Sequence, residues 1–283
     1  MPKKLIPMAI CYDFDGTLSP GCMQEYGFIR ELGLDSKSFW KKTNAYAKKH
    51  KIDQILSYML QMKLESEKKG YPFSKKKLKE YGKNVELFPG VDTWFERINA
   101  YGREKGLSVE HYIISSGLKE ILEGVHISRY FKEIFASSFV LDGKGNAIWP
   151  AQAVNYTNKT QFLFRIMKGC LDISDDKGVN RRIREDEKHM PFSRIIYIGD
   201  GETDVPCMST LKSDGGHTIA IYQDKVKQSC QSAQTLLNDR RVDFAAVADY
   251  RKDRQVEKYV RVLIDKISAD ACIEKLKKKT LKS

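Results

Sequence analysis

Two short stretches concentrate acidic side chains at a spacing that invites chemistry: "DFDGT" at 13–17 and "GDGETD" at 199–204. The first sets Asp13 and Asp15 one residue apart, directly after an apolar run from Leu5 to Tyr12, and turns at Gly16. The second follows another apolar run, Arg194 to Ile198. Carboxylates brought this close repel each other unless a positive charge sits among them. An all-oxygen donor set suits a hard cation, Mg2+ most naturally, and Mg2+ keeps waters and bridges to phosphate. Asp13 and Asp200 are then expected to give carboxylate oxygens to the metal. Residue 15 would give its backbone carbonyl, leaving the Asp15 side chain free. Other chemistries find no support. Ser115 lacks the G-x-S-x-G surround of a hydrolase elbow, no phosphate-binding G-x-x-x-x-G-K-[ST] loop is present, and the five histidines show no metal spacing.

The elements around these stretches repeat one unit: an apolar strand, a polar cluster, then a helix. Strands are expected at Leu5–Tyr12, Val109–Ile114 and Arg194–Ile198, with shorter ones in "HTIAIYQ" and "VDFAAVADY". "EIFASSFVLDGKGNAI" reads as strand, Asp-Gly turn, strand. Continuous apolar strands alternating with helices predict an α/β fold: a Rossmann-like, three-layer core with a mostly parallel sheet. Ligands in such sheets bind at the C-terminal strand edges, where Asp13–Thr17, Ser115–Gly117 and Gly199–Asp204 all fall. "LKEILEGV" is expected to open a helix at Gly117, so that the Ser116 and Gly117 amides lie at its N-terminus. Residues 21–84 read as helices interrupted near Gly33, Gly70 and Gly82, "KTQFLFRIMKGC" as a helix, and the C-terminal segment as an amphipathic helix with a basic end. Residues 169–193 break the rhythm and read as an irregular excursion, with or without a helical turn.

The bulk numbers set outer bounds. With 283 residues, 41% of them hydrophobic, the chain can bury a sizeable core and accommodate one large domain or a core with an appendage. Six cysteines without a CxxC pair read as reduced thiols in a cytoplasmic protein. "MPKKLIPMAICYD" reads as the first strand and not as a signal peptide, and no apolar stretch approaches membrane-spanning length. The net charge of +12 is uneven: residues 37–84 hold fourteen lysines against Asp53, Glu65, Glu67 and Glu80. That excess admits three readings: a solvated helical surface, a nucleic-acid face, or a field that attracts a small anion.

"DFDGTL" at 13–18, Ser115 after "YIIS", Lys159 in "TNKTQFL" and "GDGETD" at 199–204 together resemble the haloacid dehalogenase-like hydrolase superfamily. The hairpin-like "FASSFVLDGKGNAI" is similar to its phosphoserine phosphatase-like branch. The resemblance implies Asp13 as a nucleophile that takes up a phosphoryl group and Asp15 as the acid/base. It implies Ser115, Ser116, Gly117 and Lys159 as phosphate-binding groups. Asp204 would lie behind the metal, on a metal-bound water or paired with Lys159, and Glu202 is a weaker candidate for the same shell. Dehalogenases of the superfamily lack the aspartate at position 15, and its membrane ATPases carry threonine there, so Asp15 points to phosphatases and phosphomutases.

In this resemblance residues 19–84 form a helical cap on a core made of 1–18 and 85–283. The lysine excess then sits in the lid, which favours the small-anion reading and sets nucleic acid aside. Glu25 becomes a candidate for facing a substrate amine. The expected activity is Mg2+-dependent hydrolysis of a small phosphorylated metabolite through a phosphoaspartyl intermediate. One rival is a phosphomutase or phosphotransferase of the same fold, distinguished by transfer to an added acceptor without release of phosphate. The other is a protein that binds a phosphorylated ligand or RNA without turnover. Substrate identity and oligomeric state have no signal in the sequence.

Overall fold

Side chains along β1 (Ile6–Tyr12) alternate between two buried faces. Met8, Ile10 and Tyr12 enter one apolar core, and Ala9 and Cys11 enter a second. β5 (Ile195–Gly199) and β6 (His217–Tyr222) sort themselves likewise, with Ile196, Ile198, Ile219 and Ile221 in the first core and Ile195, Tyr197 and Ala220 in the second. Burial on both faces is the reason these segments read as unbroken apolar runs.

A computed structural model describes residues 5–184 and 187–280. The remaining strands are β2 (Leu107–Leu118), β3 (Phe131–Leu141), β4 (Ala147–Gln152) and β7 (Phe244–Val247). They form one seven-stranded sheet in the order β4-β3-β2-β1-β5-β6-β7. Every neighbouring pair is parallel except β3 with β4. α4 (Val91–Glu104) and α10 (Gln255–Thr280) cover the first face through Trp94, Phe95, Val260 and Ile264. α6 (Thr160–Lys168), α8 (Val205–Ser213) and α9 (Lys227–Asn238) cover the second through Phe162, Ile166, Met208 and Leu236. This is the three-layer α/β core that the strand pattern predicts.

Between β1 and β2 the chain inserts a short wide-turned helix (Glu25–Ile29), α1 (Ser36–His50), α2 (Gln54–Lys69) and α3 (Lys75–Gly82). Asp35, Asp53 and Ser74 cap the three α-helices by accepting backbone N–H groups of the first turn. The expected stops fall close to where glycine places them: Gly70 closes α2 with a left-handed φ of 69°, and α3 ends at Gly82. The insert shares the first core, its Phe28 and Phe73 rings meeting edge to face and Phe73 doing the same with Phe139 of β3.

Three readings need correction or completion. β2 does not end at Ile114; it continues through Ser115, Ser116 and Gly117 to Leu118, and α5 (Lys119–Leu122) is a single turn. The reason is tertiary: β3 keeps pairing with this stretch across an irregular register, Ser115 with Ala136 and Leu118 with Ser137. The described part of residues 169–193 includes a short helix, α7 (Asp176–Asn180), behind a loop whose Asp172, Ile173 and Asp175 carbonyls accept from the buried Arg165 guanidinium. Helices α8 and α9 have no counterpart in the sequence reading. No helix among the described residues is long and apolar enough to cross a membrane.

His111 of β2 gives the first core a pH dependence. Its ring is buried, and a chain of hydrogen bonds runs from Trp94 Nε1 to Tyr12 Oη (2.8 Å), on to His111 Nδ1 (3.0 Å), and from His111 Nε2 to Asn99 Oδ1 (3.0 Å). With the proton on Nε2 every link joins a donor to an acceptor, so the neutral ring fits and the charged one does not. Burial pushes the pKa down to about 3 from an ordinary 6.5. The unfolded chain therefore takes up this proton first as pH falls. The neutral-ring contribution is complete above pH 6.5 and is lost toward pH 3, by up to roughly 1.4 kcal/mol per pH unit. Urea unfolding between pH 6.5 and 4 should show wild type losing stability more steeply than His111→Gln. Parallel pH curves for the two proteins would remove His111 from this role.

Candidate active site

The strand order reverses around β1, which pairs with β2 on one side and β5 on the other. Tyr12 is level with Ile113 and Ile198, and the Asp13 amide donates to the Ile198 carbonyl at 3.0 Å. Asp13 therefore emerges in the crevice between the ends of β2 and β5, where Ser115 and Asp200 also emerge. The loop then folds tightly, with the Leu18 and Ser19 amides donating to the Phe14 carbonyl and the Gly16 amide to Ser19. Gly16 has a φ of 77°, and a Cβ there would collide with the Asp200 carboxylate. A Cβ on Gly199 would collide likewise with Asp204. Both glycines let backbone and carboxylate approach closely.

Lys159 immediately precedes α6 and is 1% exposed, which sets it apart from the surface lysines. Its Nζ lies 2.8 Å from Asp204 Oδ1 and 3.2 Å from Asp13 Oδ1. Tyr197 of β5 donates its hydroxyl to the same Asp204 oxygen at 2.7 Å. Burial opposes the lysine charge, but Asp13 and Asp204 outweigh it and hold the ammonium well above its usual range. Burial raises Asp13 to about 6, Lys159 counteracting and Asp204 adding to the rise. Asp15 is raised well above the carboxylate range by burial and then by Asp13, and Asp200 by burial and then by Asp13 and Asp204. One ammonium does not balance four carboxylates.

The donor set fits a hard cation. Carboxylate oxygens of Asp13, Asp200 and Asp204 lie within 4.8 Å of one another, and Asp204 Oδ2 is buried without a hydrogen-bond partner in the structure. An orphaned anionic oxygen on one of three carboxylates this close together marks a place for a divalent ion. Asp204 thus stands as close to this centre as Asp13 and Asp200, besides pairing with Lys159. The Asp15 carboxylate stands outside this group and is not free, since its Oδ1 accepts the Met23 amide at 2.9 Å. The side chain of Glu202 lies outside the described residues.

Ser115 is buried at the same edge, and its Oγ accepts the Gly117 amide at 3.1 Å. That amide is already engaged, and the expected helix N-terminus at Ser116 and Gly117 is absent because the strand carries on past them. The Ser116 carbonyl accepts from Tyr58 Oη of α2 at 2.7 Å and from Ser137 Oγ at 3.2 Å.

Over Asp13, Asp15, Ser115 and Asp200 opens a cavity of about 430 Å³. The turn between α1 and α2 with the start of α2 forms one wall, through Ile52, Asp53, Gln54 and Ile55, and Asn155 and Tyr156 form another. Asn155 Nδ2 donates to Asp53 Oδ2 at 2.8 Å, tying the insert to the loop that leads into Lys159. The Asn155 Oδ1 meanwhile accepts from the Thr157 and Asn158 amides and holds that loop's turn. Glu25 does not line the cavity, and its Oε1 accepts from Ser36 and Trp40 of α1. None of the insert's lysines lines it either, so the basic side chains of the insert contribute no group to its wall. Tyr58, Asn155, Asp53 and Tyr197 were not singled out from the sequence. For Asp53 a signal existed, an acidic residue just before an apolar helical stripe, and for Tyr197 a hydroxyl inside an apolar strand, which demands a partner.

A family model described as haloacid dehalogenase-like hydrolase matches residues 10–209. The chain belongs to this family. A relative in Borreliella burgdorferi, itself an uncharacterized protein, is 28% identical over 89% of this chain and 95% of its own length. Among solved structures, a family hydrolase from Salmonella enterica serovar Typhi superposes with a TM-score of 0.54 at 20% identity, covering 81% of this chain and 67% of that one. A substrate-bound phosphoserine phosphatase gives 0.52 at 14% identity, covering 89% and 98%. At these identities the likeness is one of fold, and the fold is that of haloacid dehalogenase-like hydrolases.

Proposed function

We propose that the protein is a Mg2+-dependent phosphomonoesterase that hydrolyses a small phosphorylated metabolite, with residues 19–84 as its helical cap. The observation that carries this reading is Asp13 at the switch point, held by the buried Lys159 and grouped with Asp200 and Asp204, with Asp15 two residues on. Asp13, Asp200 and the residue-15 carbonyl would hold Mg2+, with Asp204 beside them. When bound, the ion neutralises these carboxylates and draws charge from the phosphoryl oxygens.

The protein's own groups divide the rest of the work. Asp13 attacks phosphorus, the bond from phosphorus to the ester oxygen breaks, and Asp15 gives its proton to the departing alkoxide. Burial and the Asp13 charge favour the protonated form of Asp15, as an acid requires. Asp15 then takes a proton from water, whose oxygen attacks phosphorus and returns Asp13 as a carboxylate with release of phosphate. Ser115 and Ser116, which line the cavity, bind phosphoryl oxygens, and Lys159 restrains Asp13 from below and offsets the phosphoryl charge. The test is phosphate release from a panel of phosphorylated metabolites with and without Mg2+. Mg2+-dependent release supports the reading, and transfer to an acceptor without release overturns it in favour of a phosphotransferase.

Because Asp53 both caps α2 and meets Asn155, Asp53→Ala should act twice. Loss of the cap costs about 1 kcal/mol, a fall in Tm of ~2–4 °C. Loss of the bridge loosens the wall over the site, and KM should rise several-fold in steady-state kinetics. An unchanged KM with the lowered Tm would leave Asp53 a helix cap alone.

A further inference from the structure

The wall above the reacting groups differs from what a basic chain suggests. Among the described residues lining the cavity there is no lysine, arginine or histidine. The nearest ammonium, Lys159, lies beneath the floor and is committed to Asp13 and Asp204. Several of the insert's lysines are engaged elsewhere: Lys42 with Glu65, Lys75 with Glu123, Lys77 with Glu31, and Lys69 with the Leu32 carbonyl. The charge on the wall is instead negative. Asp53 accepts from the Ile55 and Leu56 amides at 2.8 and 3.1 Å and from Asn155 at 2.8 Å, so its carboxylate is fixed in the wall. Around it stand the half-exposed Ile52 and Tyr156.

We infer that this site selects phosphate monoesters whose alcohol part carries no second anion, and favours one that ends in a cation. The inference rests on the phosphatase reading above and specifies its substrate class. A carboxylate on the alcohol would enter a cavity walled by Asp53, floored by Asp15 and lined by no cationic side chain to pair it, so its desolvation goes uncompensated. An ammonium would meet the Asp53 carboxylate and the Tyr156 ring face. Phosphoserine, whose carboxylate would stay unpaired here, is a poor fit despite the shared fold.

Three esters test this on the full chain with Mg2+. O-phosphoethanolamine and phosphoglycolate share a two-carbon alcohol part and end in an ammonium and a carboxylate, and p-nitrophenyl phosphate reports the reaction itself. The expected result is a kcat/KM at least about tenfold higher for phosphoethanolamine than for phosphoglycolate. Asp53→Asn keeps a capping side chain and removes the charge, and Gln54→Arg adds a cation to the same wall. Both should narrow that ratio. Hydrolysis of p-nitrophenyl phosphate with phosphoglycolate preferred or equal overturns the selectivity and leaves the phosphatase standing. A ratio that neither substitution moves removes the wall as its source. No phosphate from any of the three overturns the phosphatase reading, and the selectivity falls with it.

Discussion

Asp13→Ala is expected to lower phosphate release from any accepted ester by at least about 10⁴-fold, since it removes the group proposed to take up the phosphoryl group. Asp15→Asn should behave differently. With p-nitrophenyl phosphate the leaving group needs no proton, so Asp13 can still be phosphorylated, but nothing remains to take the proton from water. The variant should give a burst near one equivalent of nitrophenol and then stall, with steady turnover down by about 10²–10⁴-fold. Intact-protein mass spectrometry of the quenched reaction should find one phosphoryl group on Asp15→Asn and none on Asp13→Ala. The Asp15 side chain meets the Met23 amide where the insert begins, so the loss of turnover also has a positional component. Asp15→Glu, which keeps the acid and moves it, separates the two: burst followed by slow turnover indicates a displaced base. Two variants with equal and near-normal rates would discard the division of labour between the aspartates.

The parts of this site that the sequence exposes are those fixed by position at a strand end. β1 and β5 are buried on both faces, so their apolar runs stand out, and whatever follows them must lie at the sheet edge. Asp13 and Asp200 were legible for that reason. Lys159 was not legible on its own among 49 lysines and arginines; its burial, a tertiary fact, distinguishes it. The bridges from the insert, Tyr58 to Ser116 and Asp53 to Asn155, join residues 58 and 102 positions apart and leave no local pattern. The direction of the lysines is hidden in the sequence for a related reason. Composition counts charges, but which way a helix turns them depends on the stripe it buries, and here Phe28, Phe39, Tyr58 and Met62 turn inward and leave the lysines outside. Propensity fails at Ser115–Leu118 because pairing with β3 outweighs a sequence that reads as a turn into a helix.

Asp200→Asn should make the metal-free protein more stable while abolishing its response to Mg2+. Burial raises the Asp200 pKa, and the neighbouring Asp13 and Asp204 carboxylates raise it further. A carboxyl raised in the folded state gives up its proton more readily when unfolded, so stability falls as pH rises from the unfolded value toward the folded one. At neutral pH the wild-type cluster therefore carries a strain that only a cation relieves. Asparagine keeps the shape and removes one charge, which should contribute about 1–2 kcal/mol and raise Tm by ~2–8 °C in EDTA. That gain should shrink toward pH 4, where the unfolded chain holds the proton as well. Wild type should show the opposite response to the ion: Mg2+ raises its Tm, and less so below pH 6, where protonation of Asp13 competes with binding. Differential scanning fluorimetry across pH, with EDTA or Mg2+, reads all of this in one experiment. A destabilised Asp200→Asn that still gains Tm from Mg2+ would mean that the carboxylates at 13, 200 and 204 do not share an ion, and the catalytic assignment of Asp13 would lose its electrostatic basis.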